Sequence, residues 1–260
     1  MNKKNPILSV KNLNIGYPNK LIANNISLSI HKKELIAVIG INGAGKSTFL
    51  KTITGDLPKK SGEIKIQNQA LQQLSSKEIA AYISVVFSNA VFSQNLSVYE
   101  VVALGRNPYT NWLGLLNEED KKAVQQALRL IEIEDLANKK CNQLSDGQLQ
   151  KVFIARALAQ ETDIIVLDEP TNHLDLYHKA FVFKLLKKLS QKTEKAIIFA
   201  THELNLALQL CDKIILINNE KAVIDSPENL IKSKILQQLF PSDLIQFDEL
   251  TKSFKVNTDF

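Results

Sequence analysis

The stretch Gly40-Ile41-Asn42-Gly43-Ala44-Gly45-Lys46-Ser47-Thr48 decides the fold. It matches in full the pattern G-x-x-x-x-G-K-[ST], in which a glycine-rich turn joins a strand to a helix. The flanks agree with that reading. Leu35-Ile36-Ala37-Val38-Ile39 is a continuous apolar run with β-branched residues, the pattern of a buried parallel strand. Phe49, Leu50 and Ile53 recur at helical spacing, and Gly55 stands where a C′ residue would end that helix. A strand that turns sharply into a helix leaves successive backbone N–H groups unpaired, and glycines let that backbone approach an anion. The turn therefore predicts a phosphate site over Asn42, Gly43, Ala44, Gly45, Lys46, Ser47 and Thr48. Lys46 is expected against the β- and γ-phosphates as a point charge, and the Ser47 hydroxyl on Mg2+.

A second apolar run, Ile164-Ile165-Val166-Leu167, ends in Asp168-Glu169. Such a strand carries its carboxylates to the edge of the sheet, where open α/β sheets bind ligands. Asp168 is placed to hold Mg2+, directly or through water. Glu169, one residue on and pointing differently, is placed to polarise an attacking water. Ala196 to Ala200 is a further buried strand, ending at Thr201-His202. A zinc-protease reading of His202 fails, because H-E-x-x-H requires a histidine where Leu206 stands.

The remaining chain surrounds this core. Ile7 to Val10 and Ile26 to Ile30 alternate apolar with polar, so the chain opens with antiparallel sheet. Tyr17, in the turn context Tyr17-Pro18-Asn19, could stack on a purine or simply cap that small sheet. Ile83 to Phe87 is another strand. Ser97-Val98-Tyr99-Glu100 is a capping box opening a helix that stops at Gly105, and Asn117 starts a second helix with three acidic residues in its first turn. A helical insertion thus begins near 95, runs first to Asn142, and continues through the helix opened by Leu144-Ser145-Asp146-Gly147-Gln148 to about 160. Ile214 to Ile217 and Ala222 to Ile224 read as a hairpin. Beyond Pro227 there is helical spacing and then a polar tail without a motif.

Composition bounds the function without choosing it. At 260 residues, 45% hydrophobic and 23% charged, the chain has the profile of a globular protein with a full core. No apolar run reaches the ~18 residues that cross a bilayer, and the N-terminus lacks the apolar length of a secretory signal, so a cytosolic location is expected. Cys141 and Cys211 have no C-x-x-C spacing and read as plain thiols. The net charge of +5 is compatible with nucleotide, membrane or nucleic-acid partners alike. Lys184, Lys187 and Lys188 read as the solvated face of a helix.

Taken together, Gly40 to Thr48, Leu144 to Gln148, Ile164 to Glu169, Thr171-Asn172-His173-Leu174-Asp175 and His202 resemble the nucleotide-binding subunit of an ABC transporter, over roughly Ile7 to Asp225. Ala103-Leu104-Gly105-Arg106-Asn107-Pro108-Tyr109 and the ending Ala159-Gln160 resemble subunits serving importers of iron-siderophore, haem or cobalamin. The resemblance implies an α/β P-loop NTPase core with an N-terminal antiparallel β subdomain and an inserted helical subdomain. One ATPase domain would span 1–225, with 226–260 as its C-terminal extension. It makes ATP and Mg2+ the cofactors, Tyr17 the adenine-stacking aromatic, Glu169 the catalytic base and His202 the switch histidine at the γ-phosphate. Asp175 becomes the residue that communicates across a dimer. Ser145, Gly147 and Gln148 open a helix whose N-terminal anion site their own phosphate loop does not reach, so they are expected to close over ATP held by a second copy.

The implied partners are a second copy of the chain, an integral membrane permease and, through it, an extracytoplasmic substrate-binding protein; nucleic acid is not expected. The place of action is the cytoplasmic face of the inner membrane, peripherally bound. Helix 97–105 and the loop around Ser88 form the expected docking surface, with Trp112 as a candidate member. The rival reading is a soluble ABC-type ATPase acting on ribosomes or DNA, which usually joins two cassettes or inserts long coiled coils. A P-loop GTPase is disfavoured by the missing N-K-x-D. Two departures from the family pattern stand out: Ser88 in place of the usual glutamine, and Asp146 in place of the commoner glycine. Asp146 is expected to point away from phosphate or to cap its helix. His173 and His178 read as structural or solvent-facing.

Overall fold

The computed structural model describes residues 5–87, 93–240 and 244–257. Strands β1 (Leu8–Tyr17) and β2 (Lys20–Ile30) form an antiparallel hairpin, followed by β3 (Leu35–Ile39), helix α1 (Lys46–Ile53), β4 (Ser61–Ile66) and β5 (Gln69–Ala70). Helix α2 (Ser76–Tyr82) leads to β6 (Ile83–Val86). Three helices follow without a strand: α3 (Val98–Ala103), α4 (Glu118–Ile131) and α5 (Asp146–Ala159). The chain then alternates β7 (Ile164–Asp168), α6 (Leu176–Lys192), β8 (Ala196–Ala200), α7 (Leu204–Leu210), β9 (Lys213–Asn218) and β10 (Lys221–Asp225). Helix α8 (Pro227–Lys232) and a hairpin of β11 (Ile245–Asp248) and β12 (Ser253–Val256) complete it.

Ten strands join in the order β5-β4-β1-β2-β10-β9-β3-β8-β7-β6 among the described residues. One end is antiparallel, and the run β9-β3-β8-β7-β6 is parallel. The five core strands are buried on both faces, as their unbroken apolar sequences predict. Successive residues feed opposite cores: Leu35, Ala37 and Ile39 of β3 pack with the helices of the insertion and with α6, while Ile36 and Val38 pack with α1 and the N-terminal hairpin. This period of two makes the parallel sheet the wall between two hydrophobic layers.

Four expectations about local structure hold in detail. Ser97 and Glu100 form the reciprocal capping box of α3, and Asn117 caps α4. Gly55 follows α1 at φ 86, the left-handed residue that ends the helix. The turn Asn219-Glu220 between β9 and β10 has both residues at positive φ, the two-residue geometry that matches strand twist. Lys187 and Lys188 lie along α6 and pair with Asp212 and Glu132.

The first hairpin is longer than alternation predicts. β1 continues past Val10 because Asn12, at φ 46, sits in a bulge whose N–H donates to Ser27 Oγ at 3.0 Å. Gly62 of β4 makes room for it, since a Cβ there would lie 2.4 Å from the Asn12 carbonyl oxygen. The C-terminal segment is likewise more than a polar tail. Phe247 and Phe254 pair across β11 and β12, Phe240 stacks edge-on against Phe254, and Asn205 of α7 pairs through its amide with the Phe254 backbone. Leu230, Leu236, Leu239 and Phe247 join the same core as the inserted helices.

Arg106 ties the insertion together. Its guanidinium donates to Asp120 at 2.8 Å, to the Ala159 carbonyl at 2.8 Å and to Glu161 at 2.7 Å, and lies over the Tyr109 ring. Burial works to raise the Asp120 carboxyl, but the Arg106 and Asn117 hydrogen bonds hold it below its ordinary range.

Candidate active site

The turn from β3 into α1 is built around two close approaches. A Cβ on Gly45 would lie 2.1 Å from Ile22 Cγ2, and one on Gly40 would lie 2.4 Å from the Ile217 carbonyl oxygen. Gly45, at φ 104, caps α1 without a side-chain bond, which leaves the first N–H groups of the helix for a ligand. Lys46 is 5% exposed and folds back over the turn, donating to the carbonyls of Gly40 at 3.1 Å and Ile41 at 3.3 Å. Burial pulls its ammonium below the usual lysine range, while Glu169 and Asp168 push it back up.

Ser47 donates its hydroxyl to Asp168 Oδ1 at 3.0 Å, bringing the phosphate loop to the acidic end of β7. Asp168 is 7% exposed, and its burial raises the carboxyl above the ordinary range against the Ser47 bond. Glu169 follows at φ 52, a left-handed conformation uncommon for a residue with a Cβ, and its side chain has different partners from that of Asp168. Its two oxygens are separately held, Oε2 by the Asn172 amide at 2.5 Å and Oε1 by His202 Nε2 at 2.5 Å. Burial alone would raise this carboxyl; the Asn172 and His202 bonds outweigh it, so Glu169 stays below its ordinary range and ionised. His202 Nδ1 faces Lys46 Nζ at 3.5 Å. The base, the imidazole and the ammonium thus form one connected line.

Tyr17, Lys20 and Ile22 from the first hairpin meet Asn42, Gly43, Gly45, Lys46, Ser47, Thr48, Glu169 and His202 around a cleft of about 580 Å³. Ala44 lies beneath the turn, its N–H donating to the Ile41 carbonyl. The structure therefore collects most of the residues singled out from sequence into one site. Asp168 and Ala44 adjoin the cleft without lining it, and Ser145, Gly147, Gln148 and Asp175 do not line it either. Ser145 caps α5 in a reciprocal box with Gln148, and Asp175 caps α6. Ser145 holds the capping position, so Asp146 is not the cap; it stands exposed at the first helical residue. Ser88 lies outside the described residues, and with it part of the expected docking surface. Trp112 is 90% exposed.

Three lining or supporting residues escaped the sequence. Asn172 could have been found: it lies three residues after Glu169, and its N–H donates to the Glu169 carbonyl at 3.2 Å, a turn that returns the amide to the carboxylate. Lys20 and Ile22 carry no local signal; the hairpin brings them to the cleft.

A phosphate loop, a metal-competent carboxylate beside it and a held glutamate one residue further at the same strand end, on a parallel sheet with an inserted helical layer, define a nucleotide-hydrolysing cassette. The ABC transporter family model matches residues 23–172 of this chain. A petrobactin import ATP-binding protein of Bacillus subtilis is 37% identical over 90% of this chain and 92% of its own length. The iron(3+)-hydroxamate import ATP-binding protein of the same organism is 33% identical over 91% and 88%. Among solved structures, a metal-chelate type ABC transporter in an inward-facing conformation superposes with a TM-score of 0.80 at 31% identity, covering 91% of this chain and 89% of that one. A dimeric ATP-binding cassette holding ADP and Pi gives 0.71 at 30% identity, covering 85% and 98%. The chain belongs to the ABC transporter family. It is an ATP-binding subunit that hydrolyses ATP to drive transport.

Proposed function

We propose that the chain energises uptake of an iron-siderophore, haem or cobalamin-type metal chelate. It works as a homodimer bound peripherally to the cytoplasmic face of the cell membrane, against separate permease subunits. An extracytoplasmic binding protein is reached only through those subunits. The cargo class is supported by the import names of the relatives and by the metal-chelate transporter whose cassette this chain matches. Among the described residues no helix is long and apolar enough to cross a membrane, which fits a subunit that relies on others for the membrane path. The rival reading, an ATPase acting on ribosomes or DNA, is not favoured by these relatives.

The observation that carries the chemistry is Glu169, ionised and held by Asn172 and His202 across from the Ser47–Asp168 bond. Tyr17 stacks on the adenine, and Asn42 to Thr48 cradle the phosphates with their backbone N–H groups. Lys46 neutralises the β- and γ-phosphates. Ser47 and Asp168 suit Mg2+, because a hydroxyl and a carboxylate raised by burial gain most from a hard cation that takes its remaining ligands from phosphate and water. An Mg2+ held by Ser47 and Asp168 would supply neutralisation of charge on the phosphate oxygens. Glu169 orients the attacking water and accepts its proton, and His202 holds Glu169 and reaches the γ-phosphate. One ATPase domain spans 1–225 with its helical insertion at about 95–160, and 226–260 is its extension, of which Leu230, Leu236, Leu239 and Phe247 join the core.

The transport reading is tested by tagging the chain in its own host, solubilising membranes in mild detergent and identifying what co-purifies. A permease with many membrane spans is the expected result, and its class narrows the cargo. Recovery with ribosomes or nucleic acid instead would overturn the importer assignment.

A further inference from the structure

His178 occupies a junction that the hydrolysis chemistry leaves unused. It lies in the first turn of α6, and its ring Nδ1 is 2.9 Å from each oxygen of Asp175, whose Oδ1 also accepts the His178 backbone N–H at 2.8 Å. These bonds hold the Asp175 carboxyl below its ordinary range, so the ring Nδ1–H is the donor. The other face of the ring meets α5: a Cβ on Gly147 would lie 3.0 Å from His178 Cδ2 and 3.6 Å from Cγ. Gly147 is thus a glycine in contact with an imidazole of its own chain. The next residue, Lys179, pairs with Glu203 at 2.6 Å, directly beside His202.

One helical turn therefore lies against Gly147 of the Leu144–Gln148 motif on one side and is ion-paired on the other to the segment carrying His202. The loop from Glu169 to Asp175 runs into that turn, with Asn172 on the Glu169 carboxylate and Asp175 on the His178 ring. We propose that His178 is a positioning residue that locks the Gly147 end of α5 to the Asp175 loop. Engagement of the Ser145–Gly147 motif by ATP of a second copy is thereby felt at the chain's own Glu169. This inference rests on the proposed two-copy reading. A displaced α5 shifts the ring, the ring carries Asp175, and Asp175 ends the loop whose other end sets the base.

The chemistry of the ring chooses the variants. His178→Asn keeps an N–H near the position of Nδ1 and a planar group against Gly147, whereas His178→Ala removes both. Steady-state ATPase should show His178→Ala with kcat lowered about tenfold, in the range of intersite coupling, KM for ATP within about twofold of wild type, and cooperativity in ATP reduced. His178→Asn should recover most of kcat. Equal thermal midpoints for the two variants would separate positioning from a folding defect, since the side chain is about half exposed. Ser145→Ala, assayed in parallel, tests the two-copy reading on its own. If Ser145→Ala lowers turnover while His178→Ala matches wild type, the His178 role is wrong and the two-copy reading stands. If Ser145→Ala leaves turnover unchanged, the two-copy reading falls and takes this inference with it. A loss in His178→Ala that Asn does not restore, or one that appears in KM alone, also overturns the role.

Discussion

The phosphate-loop cleft and the Ser145–Gln148 motif are two polar sites built to different degrees of completeness. Around the cleft, Lys46 and Asp168 are buried, so desolvation works against the charge of each, and Glu169 is fixed by two bonds. At the motif, Ser145 and Gln148 satisfy each other in an exposed capping box, and none of its residues reaches the cleft. The first has its charged groups already positioned by the chain's own contacts. Under the proposed two-copy reading, the second is half a site whose other half is the phosphate loop of a second copy.

The sharpest way to break this contrast is Glu169→Gln. It keeps the size and one of the two acceptor oxygens but removes the carboxylate that takes the proton, so turnover should fall about 10²- to 10⁴-fold with ATP affinity retained. Undiminished turnover would deny Glu169 the role of base. Next is Lys46→Ala, for which fluorescent-ATP titration should show affinity reduced about 10- to 100-fold, the worth of a bond to a charged group. Affinity equal to wild type would mean that the buried ammonium does not face phosphate.

Asp168→Asn sharpens the point about desolvation. Burial raises the folded carboxyl, so its ionisation penalty is present at neutral pH and fades as pH falls through the folded value. Without nucleotide the variant should melt no lower than wild type at neutral pH, with any advantage closing on acidification, and the added stabilisation by Mg2+ with ATP should be lost. A variant that melts lower yet keeps that stabilisation contradicts the reading. Smallest is the stability effect of Ser145→Ala, about 1 kcal/mol for loss of a cap, measured by denaturant unfolding. A much larger loss would make the motif structural in the first place.

Legibility in the sequence followed the same division. The cleft was readable because its parts lie at strand ends: an apolar run finishing in Gly40 or in Asp168-Glu169 announces a buried strand and the residue at its edge. The helix starts at Ser97, Asn117 and Ser145 were readable because capping is local. What stayed hidden depends on contacts far apart in the chain. Asn12 bulges β1 only because Ser27 and Gly62 accommodate it, and the β11–β12 hairpin exists because Asn205 and three phenylalanines hold short strands that alternation scarcely marks. His178 read as structural or solvent-facing, and it is both capped to Asp175 and half exposed; nothing in its neighbourhood in sequence reveals that Gly147 lies against its ring.

The central claim, that each catalytic site is shared by two chains, is met most directly by sedimentation of Glu169→Gln with and without ATP. The account predicts a monomer without nucleotide, a dimer holding two ATP when ATP is present, and loss of that dimer when Ser145→Arg is added while ATP remains bound. Saturating ATP on a chain that stays monomeric, or a dimer indifferent to Ser145→Arg, would contradict it.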